Sequence, residues 1–399
     1  MRIAYISFEF PPDTAIGGIA TYTENIATLM AERGHHIEVF TASPSGLSLM
    51  EQWNERILVH RVYTKDRDNF HNTILPFFSD RHKMISFDLV ESPEYSREGF
   101  SIKQAFPTLP MVIRFHTPSF WVKLLNQKYT GFSFKERLKR ITGIKEYEKD
   151  KDKEYLFTLS ADGWSVPCAS MKDILTAYWN LDPAKINVIP NPFLPTDALL
   201  DIPVETSTNR VTFIGRLEVR KGVTQLAAAI PLVLEKKPGV QFRFIGKSNH
   251  GPNKKGKMVD YLKEQLSPVI DNIEFIDHIE KEKVPAFLSQ TDICVFPSFW
   301  ELFGYVCIEA MSAARGIVAS KEGGMKDMLS DIYGGILIDP ESPQQIADGI
   351  LFLLDNPDQR FVMGIRSRAK SILYYGREVI TETERYYEYI GGTLKNNSL

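Results

Sequence analysis

Residues 211–235 read VTFIGRLEVRKGVTQLAAAIPLVLE, and this stretch decides the class of fold. Val211–Gly215 is a short apolar run of the kind that forms a buried strand, and Gly222–Glu235 carries a helical pattern. A strand passing into a helix through a basic connection is half of a βαβ unit. The alternation continues, with Val240–Gly246, Ile273–Ile276, Ile293–Pro297, Gly316–Ala319 and Gly335–Ile338 as successive strands and helical patterns between them. Towards the amino terminus the same reading gives strands at Ile3–Phe10, Ile37–Thr41, Ile57–Val62, Asp88–Glu91, Met111–His116, Gly163–Pro167 and Ile186–Ile189. After the first of these, a helix over about Gly18–Arg33 places Ile19, Tyr22, Ile26 and Leu29/Met30 on one face and stops at Gly34. Asn191–Asn209, with Pro192, Pro195 and Pro203 among polar residues, has no period and reads as a linker between the two series. The expectation is an α/β chain with two open, mainly parallel sheets, whose ligands bind beyond the carboxyl ends of the strands.

Length and composition agree. The 399 residues suit two domains, and 43% hydrophobic with 24% charged residues is ordinary for a globular chain. With 47 Lys+Arg against 50 Asp+Glu the net charge is −3, so no global basic field recruits nucleic acid. Cys168, Cys294 and Cys307 cannot form a disulfide framework and lack zinc spacing, which fits a reducing compartment. The apolar start breaks at Glu9, Pro11, Pro12 and Asp13, unlike a secretory signal, and no run approaches a spanning helix. A cytoplasmic protein is expected, with contact at a membrane surface left open.

Two stretches carry chemistry. Arg216 ends the strand Val211–Gly215, and Lys221 lies just before or within the first turn of the next helix. A cation there opposes the helix macrodipole at a cost of about 0.3–1 kcal/mol. An anion such as a diphosphate, held by Arg216, Arg220 and Lys221, would explain the arrangement. For Arg220 alone, a loop charge paired with Glu218 is the better reading. The second stretch is Pro297–Met311, PSFWELFGYVCIEAM. Glu301 lies on the loop leaving a strand, and a helix starts near Gly304, whose backbone can approach a ligand closely. The N–H groups of residues from Phe303 to Val306 can meet phosphate oxygens. Glu309 falls about one turn inside, ~7 Å behind that end, which is roughly a ribose away. Its carboxylate could accept both ribose hydroxyls, and Glu301 could accept from a sugar. The plainer alternative is that both glutamates complement the positive end of the helix.

These residues together resemble the retaining family 4 glycosyltransferases, which use nucleotide-sugar donors. The resemblance rests on Glu301 with Glu309; on Gly215, Arg216, Leu217, Lys221 and Gly222; on Gly17, Gly18, Gly34 and His35; and on Val188–Asn191. It spans roughly residues 1–340. It implies the GT-B fold, two Rossmann-like α/β/α domains facing each other across a cleft. Residues 1–195 would be the acceptor side, with a last helix of about 377–392 packing back on it, and 196–376 would bind the donor. Arg216 and Lys221 would hold the diphosphate and stabilise the leaving charge, Glu309 the ribose and Glu301 the transferred sugar. Phe303 and Gly304 would line the donor, and Gly17 and Gly18 would let the first loop close over it. His116, at the end of its strand, would touch sugar or acceptor. With Arg216, Lys221 and Glu301 it completes the implied catalytic set. Gly323-Gly324 suggests another donor loop, although Met325-Lys326-Asp327 follows where the family often has Pro-Glu.

Several features are open to more than one reading. Glu91 and Glu94 also end a strand and could bind acceptor hydroxyls or simply cap a loop. Asp66-Arg67-Asp68 and Asp150-Lys151-Asp152 spell the metal signature of the other major glycosyltransferase fold, yet neither closes an apolar strand. No metal and no cofactor are expected. Lys123–Glu154 holds 10 Lys+Arg against 6 acids, near Phe120, Trp121, Phe132 and Phe134. Residues 120–154 could touch anionic lipid or a phosphorylated acceptor, but a solvated, ion-paired helix face is the commoner outcome. The expected partners are a nucleotide-sugar donor and a sugar, glycan or glycolipid acceptor. A non-catalytic nucleotide-sugar binder, or an epimerase or phosphorylase on the same fold, is the rival. A dehydrogenase is disfavoured because Ala15-Ile16-Gly17-Gly18 is not a dinucleotide fingerprint.

Overall fold

The computed structural model describes residues 1–14, 17–46, 48–129, 147–252 and 255–396. Among these, 1–120, 147–194 and 375–396 group as one unit, and 121–129 and 195–374 as another. The segment from Trp121 thus groups with the carboxyl-terminal unit, not with the sequence neighbours that precede it.

The first unit is built on eight strands: β1 Arg2–Ile6, β2 His36–Ser43, β3 Leu49–Asn54, β4 Ile57–Tyr63, β5 Leu89–Pro93, β6 Met111–Arg114, β7 Gly163–Val166 and β8 Ile186–Val188. Their order is β3-β4-β2-β1-β5-β6-β7-β8, and every pairing is parallel except β3 with β4. Ile3, Ala4, Tyr5 and Ile6 of central β1 are all buried, as parallel strands covered on both faces must be. The helix Gly18–Glu32 joins β1 to β2 and ends at Gly34, whose φ of +93° suits glycine. The strand expected to reach Phe10 stops at Ile6. Beyond it Ser7 Oγ donates to the Glu9 carbonyl and Phe10 N–H to Thr14 Oγ1, folding the chain into a turn. The helix Val379–Asn396 packs on Gly18–Glu32, where Glu384 accepts from Arg33 at 2.7 Å and pairs with His35 at 2.8 Å.

The second unit has six parallel strands: β9 Arg210–Ile214, β10 Gln241–Ile245, β11 Ile273–Ile276, β12 Ile293–Phe296, β13 Gly316–Ser320 and β14 Ile336–Ile338. They lie in the order β11-β10-β9-β12-β13-β14. The order reverses between β9 and β12, so their carboxyl ends flank the switch point where open α/β sheets bind ligands. The helix Val223–Lys236 buries Leu226, Ile230 and Val233 in a core shared with Ile346 and Ile350 of the helix Pro343–Asp355.

The stretch read as an aperiodic linker is held tightly. It contains one helical turn, Asp197–Leu200. Buried Arg315 donates to the carbonyl of Pro203, Arg360 to Thr206 at 2.7 Å, and Arg368 to Ile202 at 2.6 Å.

Candidate active site

In the second unit, three glycines let backbones meet that no side chain would allow. Gly222 has φ +70°, and a Cβ there would stand 1.9 Å from the Pro297 carbonyl oxygen. Gly323, at φ +81°, would place its Cβ 2.1 Å from the Glu301 carbonyl, and Gly246 would clash similarly with Gly215. The first contact draws the start of the helix Val223–Lys236 flush against the exit of β12. Phe299 N–H then donates to the Arg220 carbonyl at 3.0 Å. The consequence is that Lys221 meets Glu301, its Nζ donating to Oε2.

The side chains differ in how far the protein has committed them. Arg220 pairs with Glu218 at 2.9 Å, the role favoured for it on sequence. Arg216 remains 60% exposed, with only a 3.6 Å approach to Glu218. Burial pushes the Glu301 carboxyl up, but Lys221, Arg220 and Arg216 outweigh it and hold the group below the usual carboxylate range. Glu301 is therefore an anion at neutral pH. Its backbone is fixed as well, paired with Gly323 and accepting from Gly324 N–H at 2.8 Å. The Gly323-Gly324 loop buttresses Glu301, and the departure at Met325 is accommodated by burying that side chain beside Gly304.

The helix Tyr305–Ser312 follows Gly304, and no side chain caps its start. Phe303 is buried, its ring edge-to-face with Tyr305 at 5.1 Å. Half-buried Glu309 lies one turn in and makes no side-chain hydrogen bond or ion pair among the described residues. Burial pushes its carboxyl up to about 7, opposed by Lys281. Lys281, in the turn Lys281–Lys283 beyond β11, was not legible in the sequence, where nothing links it to Glu309.

The first unit gives a mixed result. Gly17 is extended at φ −160°, so its backbone does not demand glycine here, and a Cβ would lie 3.5 Å from Glu9 Oε2. Gly18 opens the helix, and both glycines are exposed. His116 is half-buried with its ring edge-to-face against Tyr22 at 5.1 Å. Burial, with Arg114 and Arg67 nearby, keeps the imidazole well below its usual range, and so neutral. β6 ends at Arg114 rather than at His116, because the amides of His116 and Thr117 turn away to the Glu94 carboxyl at 2.9 Å each.

Glu91 and Glu94, for which acceptor binding and loop capping were both open, have internal partners. Glu91, 3% exposed, accepts from Tyr22 Oη at 2.8 Å and from Tyr387 Oη, tying the last helix to the sheet. Glu94 is wholly buried and spends both oxygens on backbone amides. Both carboxyls are buried and engaged within the first unit.

The remaining features resolve locally. Asp152 caps the helix Lys153–Ser160, accepting from Glu154 N–H, and Asp66 accepts from Asn69 N–H at 3.2 Å. No group of three or more His, Cys, Asp or Glu that could hold a metal occurs among the described residues. Residues 130–146 of the basic stretch, with Phe132 and Phe134, lie outside the described residues, as do Ala15 and Ile16. Phe120 packs against Tyr147 and Trp179, Trp121 meets Trp300 edge-to-face at 6.0 Å, and Tyr129 stacks on Phe299 at 3.9 Å. No helix among the described residues is long and apolar enough to cross a membrane.

Residues 201–370 match the family described as Glycosyl transferases group 1, and residues 16–193 match Glycosyltransferase Family 4. The chain belongs to the group 1, family 4 glycosyltransferases, and its two parallel-sheet domains are those of the GT-B fold. Among its relatives, the D-inositol 3-phosphate glycosyltransferase of Segniliparus rotundus is 27% identical over 372 residues, 87% of this chain and 79% of that protein. The glycogen synthase of Mycobacterium tuberculosis is 25% identical over 422 residues, 97% of this chain and 94% of that one. In structure the chain is similar to the sucrose-phosphate synthase of Thermosynechococcus elongatus, with a TM-score of 0.73 at 19% identity over 98% and 99% of the two chains. It is also similar to Anabaena HepE in complex with UDP-glucose, with a TM-score of 0.66 at 16% identity over 99% and 100%.

Proposed function

We propose that this glycosyltransferase moves a sugar from a nucleoside-diphosphate sugar to a hydroxyl of a sugar, glycan or glycolipid acceptor, with retention at the anomeric carbon and without a metal ion. The observation that carries this is the Lys221–Glu301 ion pair at the β9/β12 switch point, with exposed Arg216 also acting on Glu301, and with Glu309, which has no side-chain partner among the described residues, on the helix that follows. Arg216 and Lys221 bind the diphosphate and stabilise the charge it gains as it leaves. Phe303 and Gly304 bring backbone to the donor at the start of an uncapped helix. Glu309 accepts the ribose hydroxyls, and Glu301, oriented by Lys221, accepts from the transferred sugar. Gly17 and Gly18 are donor-binding residues in this reading, and neutral His116 touches the sugar or acceptor.

In the transfer, the bond from the anomeric carbon to the phosphate oxygen breaks and its electron pair leaves with the nucleotide. The acceptor oxygen bonds to the same face of that carbon, and its proton passes to a donor phosphate oxygen. Glu301 is no nucleophile in this scheme, because its charge is engaged by Lys221. HepE's complex with UDP-glucose and the synthase names of the relatives support a nucleotide-sugar donor.

Calorimetry against UDP-, ADP- and GDP-sugars, followed by NMR of the product, tests the proposal. We expect one donor series to bind, the product to keep the donor's anomeric configuration, and EDTA to leave turnover unchanged. No binding in any series, or an inverted product, would refute it.

A further inference from the structure

His116 is presented by a loop, and a loop residue needs its backbone held if it is to act reproducibly. Two carboxyls hold it. Glu94, at the exit of β5, accepts from His116 N–H on Oε2 and from Thr117 N–H on Oε1, each at 2.9 Å. Glu154, on the first turn of the helix Lys153–Ser160, accepts from Ser119 N–H at 2.8 Å and Ser119 Oγ at 2.7 Å. Its Oε1 also takes Ser96 N–H at 3.2 Å. Residues 116–119 are thus pinned at both ends. The second pin reaches into the β5 exit, where Ser96 and Arg97 hold φ of +53° and +55°. Left-handed backbone at two adjacent non-glycine residues persists only where its surroundings enforce it.

Two buried carboxyls are a costly way to fix a loop, since neutral side chains could accept the same amides. Burial first, and then the neighbouring Glu154, pushes Glu94 up to about 8, against the amides of Thr117 and His116. Glu154 is raised by burial too, with Asp152 adding to the effect and the Ser119 and Ser96 donors opposing it. On the loop they fix, the imidazole rests against Tyr22, is kept neutral, and makes no side-chain hydrogen bond among the described residues. Such a ring has one donor and one acceptor to offer a hydroxyl.

We propose that Glu94 and Glu154 are positioning residues for glycosyl transfer: they fix the backbone of residues 116–119 and, through it, aim the imidazole of His116 at the substrate. The proposal rests on the reading of His116 as a substrate contact given above, and it extends that reading to a pair of residues that touch no substrate themselves.

The test uses the full chain and measures nucleotide released from UDP-glucose, ADP-glucose and GDP-mannose with a panel of mono- and oligosaccharide acceptors, the rate with water alone being subtracted. Glu94→Gln, Glu154→Gln and the milder Ser119→Ala are each made in the wild-type and His116→Ala backgrounds. In the wild type, either glutamine variant should lower kcat by about 10- to 100-fold, as a misplacement of about 1 Å does. The donor KM should stay put, and amide exchange at residues 116–119 should quicken. Ser119→Ala, which removes only one hydroxyl, should give a smaller fall of the same kind, and it keeps the test open if a glutamine variant fails to fold. In the His116→Ala background the same substitutions should change kcat little, because nothing is left to aim.

A variant that lowers the melting temperature but leaves kcat intact would overturn the proposal. So would an equal loss in both backgrounds, or an unchanged Ser119→Ala. If His116→Ala itself keeps full kcat, the assignment of His116 fails and this proposal with it, while donor binding by the second unit stands. If none of the three donors is turned over, the transfer reading beneath both is refuted.

Discussion

Replacing Glu309 with glutamine is the sharpest probe of the donor site, because burial leaves this carboxyl titrating near 7 with no partner among the described residues. If two ribose hydroxyls donate to the ionised form, binding depends on a group that is about nine-tenths ionised at pH 8 and about one-tenth at pH 6. Provided the bound carboxyl titrates well below 6, affinity for the nucleotide sugar should fall about tenfold between those values, or about 1.4 kcal/mol. Calorimetry at pH 6 in buffers of differing ionisation enthalpy should show release of nearly one proton per donor bound. The nucleotide sugar itself must be the ligand, since the terminal phosphate of a free nucleoside diphosphate titrates near 6 and would mask the effect. Glu309→Gln removes the charge and keeps the shape. At pH 8 it should weaken binding by about 1–3 kcal/mol, the difference between charge-assisted and neutral hydrogen bonds. Its affinity should be flat with pH and approach the wild type at pH 6. Glu94 and Glu98, at about 8 and about 7, titrate in the same window but lie in the other unit. Any pH dependence surviving in Glu309→Gln belongs to groups such as those. Wild-type binding that is flat from pH 6 to 8, with the variant indistinguishable from it, would refute the ribose role.

Three further outcomes are expected. Lys221→Ala removes a diphosphate ligand and leaves Glu301 without its ion pair; steady-state kinetics should show kcat down by about 100- to 1,000-fold, and turnover near wild type would remove Lys221 from the reaction. Gly222→Ala forces a Cβ to within 1.9 Å of the Pro297 carbonyl at a positive φ, and should lower the melting temperature and donor affinity together, whereas an unchanged melting curve would contradict the close approach. Burial pushes the Glu38 carboxyl up, but His60 and Arg81 outweigh it and hold it below its ordinary range. Its stabilisation is therefore complete above the unfolded value of about 4.3 and is lost as pH falls through the lower folded value. The gap in melting temperature between wild type and Glu38→Gln should be present at pH 5 and should narrow as pH falls below about 4.

The strands were legible because both faces of each sheet are covered, so central strands such as β1 and β12 are continuous apolar runs. β3 escaped for the converse reason. Leu-Met-Glu-Gln-Trp-Asn is an edge strand whose residues are exposed or half-exposed, so no apolar period marks it. Strand ends were read too long where the chain leaves the sheet for a side chain far off in sequence, as His116 does for Glu94. The boundary between the two units falls within the linker Asn191–Asn209, but the anchoring of that stretch escaped for the same reason. Its carbonyls are satisfied by Arg315, Arg360 and Arg368, more than 100 residues on, and no local pattern announces such partners. Arg216, Lys221 and Glu301 could be found because each lies on the segment leaving a strand, and Glu309 because it falls one turn inside the helix that follows. Glu91 and Glu94 also lie at a strand end, but whether a carboxyl there faces solvent or the core is decided by the elements packed over it. Here those are Tyr387 of the last helix and the loop of residues 116–119.

Glu301 and Glu309 show how far one residue type can be driven apart over eight positions. Both leave β12 in a single segment, and neither is fully exposed. Glu301 meets the helix that begins beside Gly222, so three cations act on it and it stays ionised. Glu309, a turn into its own helix, has burial acting on it and Lys281 as the opposing charge, so it hovers between its two forms. Pairs of acids pushed apart in this way have different tasks. A carboxylate already engaged by a lysine gains little by attacking carbon and is suited to orienting a sugar hydroxyl. A carboxyl poised near neutrality and lacking a partner gains most from new donors, such as a diol. Exchanging the two environments should therefore exchange the behaviours. Introducing a cation beside Glu309 by Ala310→Lys or Ile308→Lys would disrupt the buried core, whereas Val306→Lys, half-buried and one turn back on the same helix, would not. With Val306→Lys the pH dependence of donor binding should shift below pH 6, while Glu301 and its ion pair stay as they are. If the wild-type profile persists in that variant, Glu309 is not the group that binding reads.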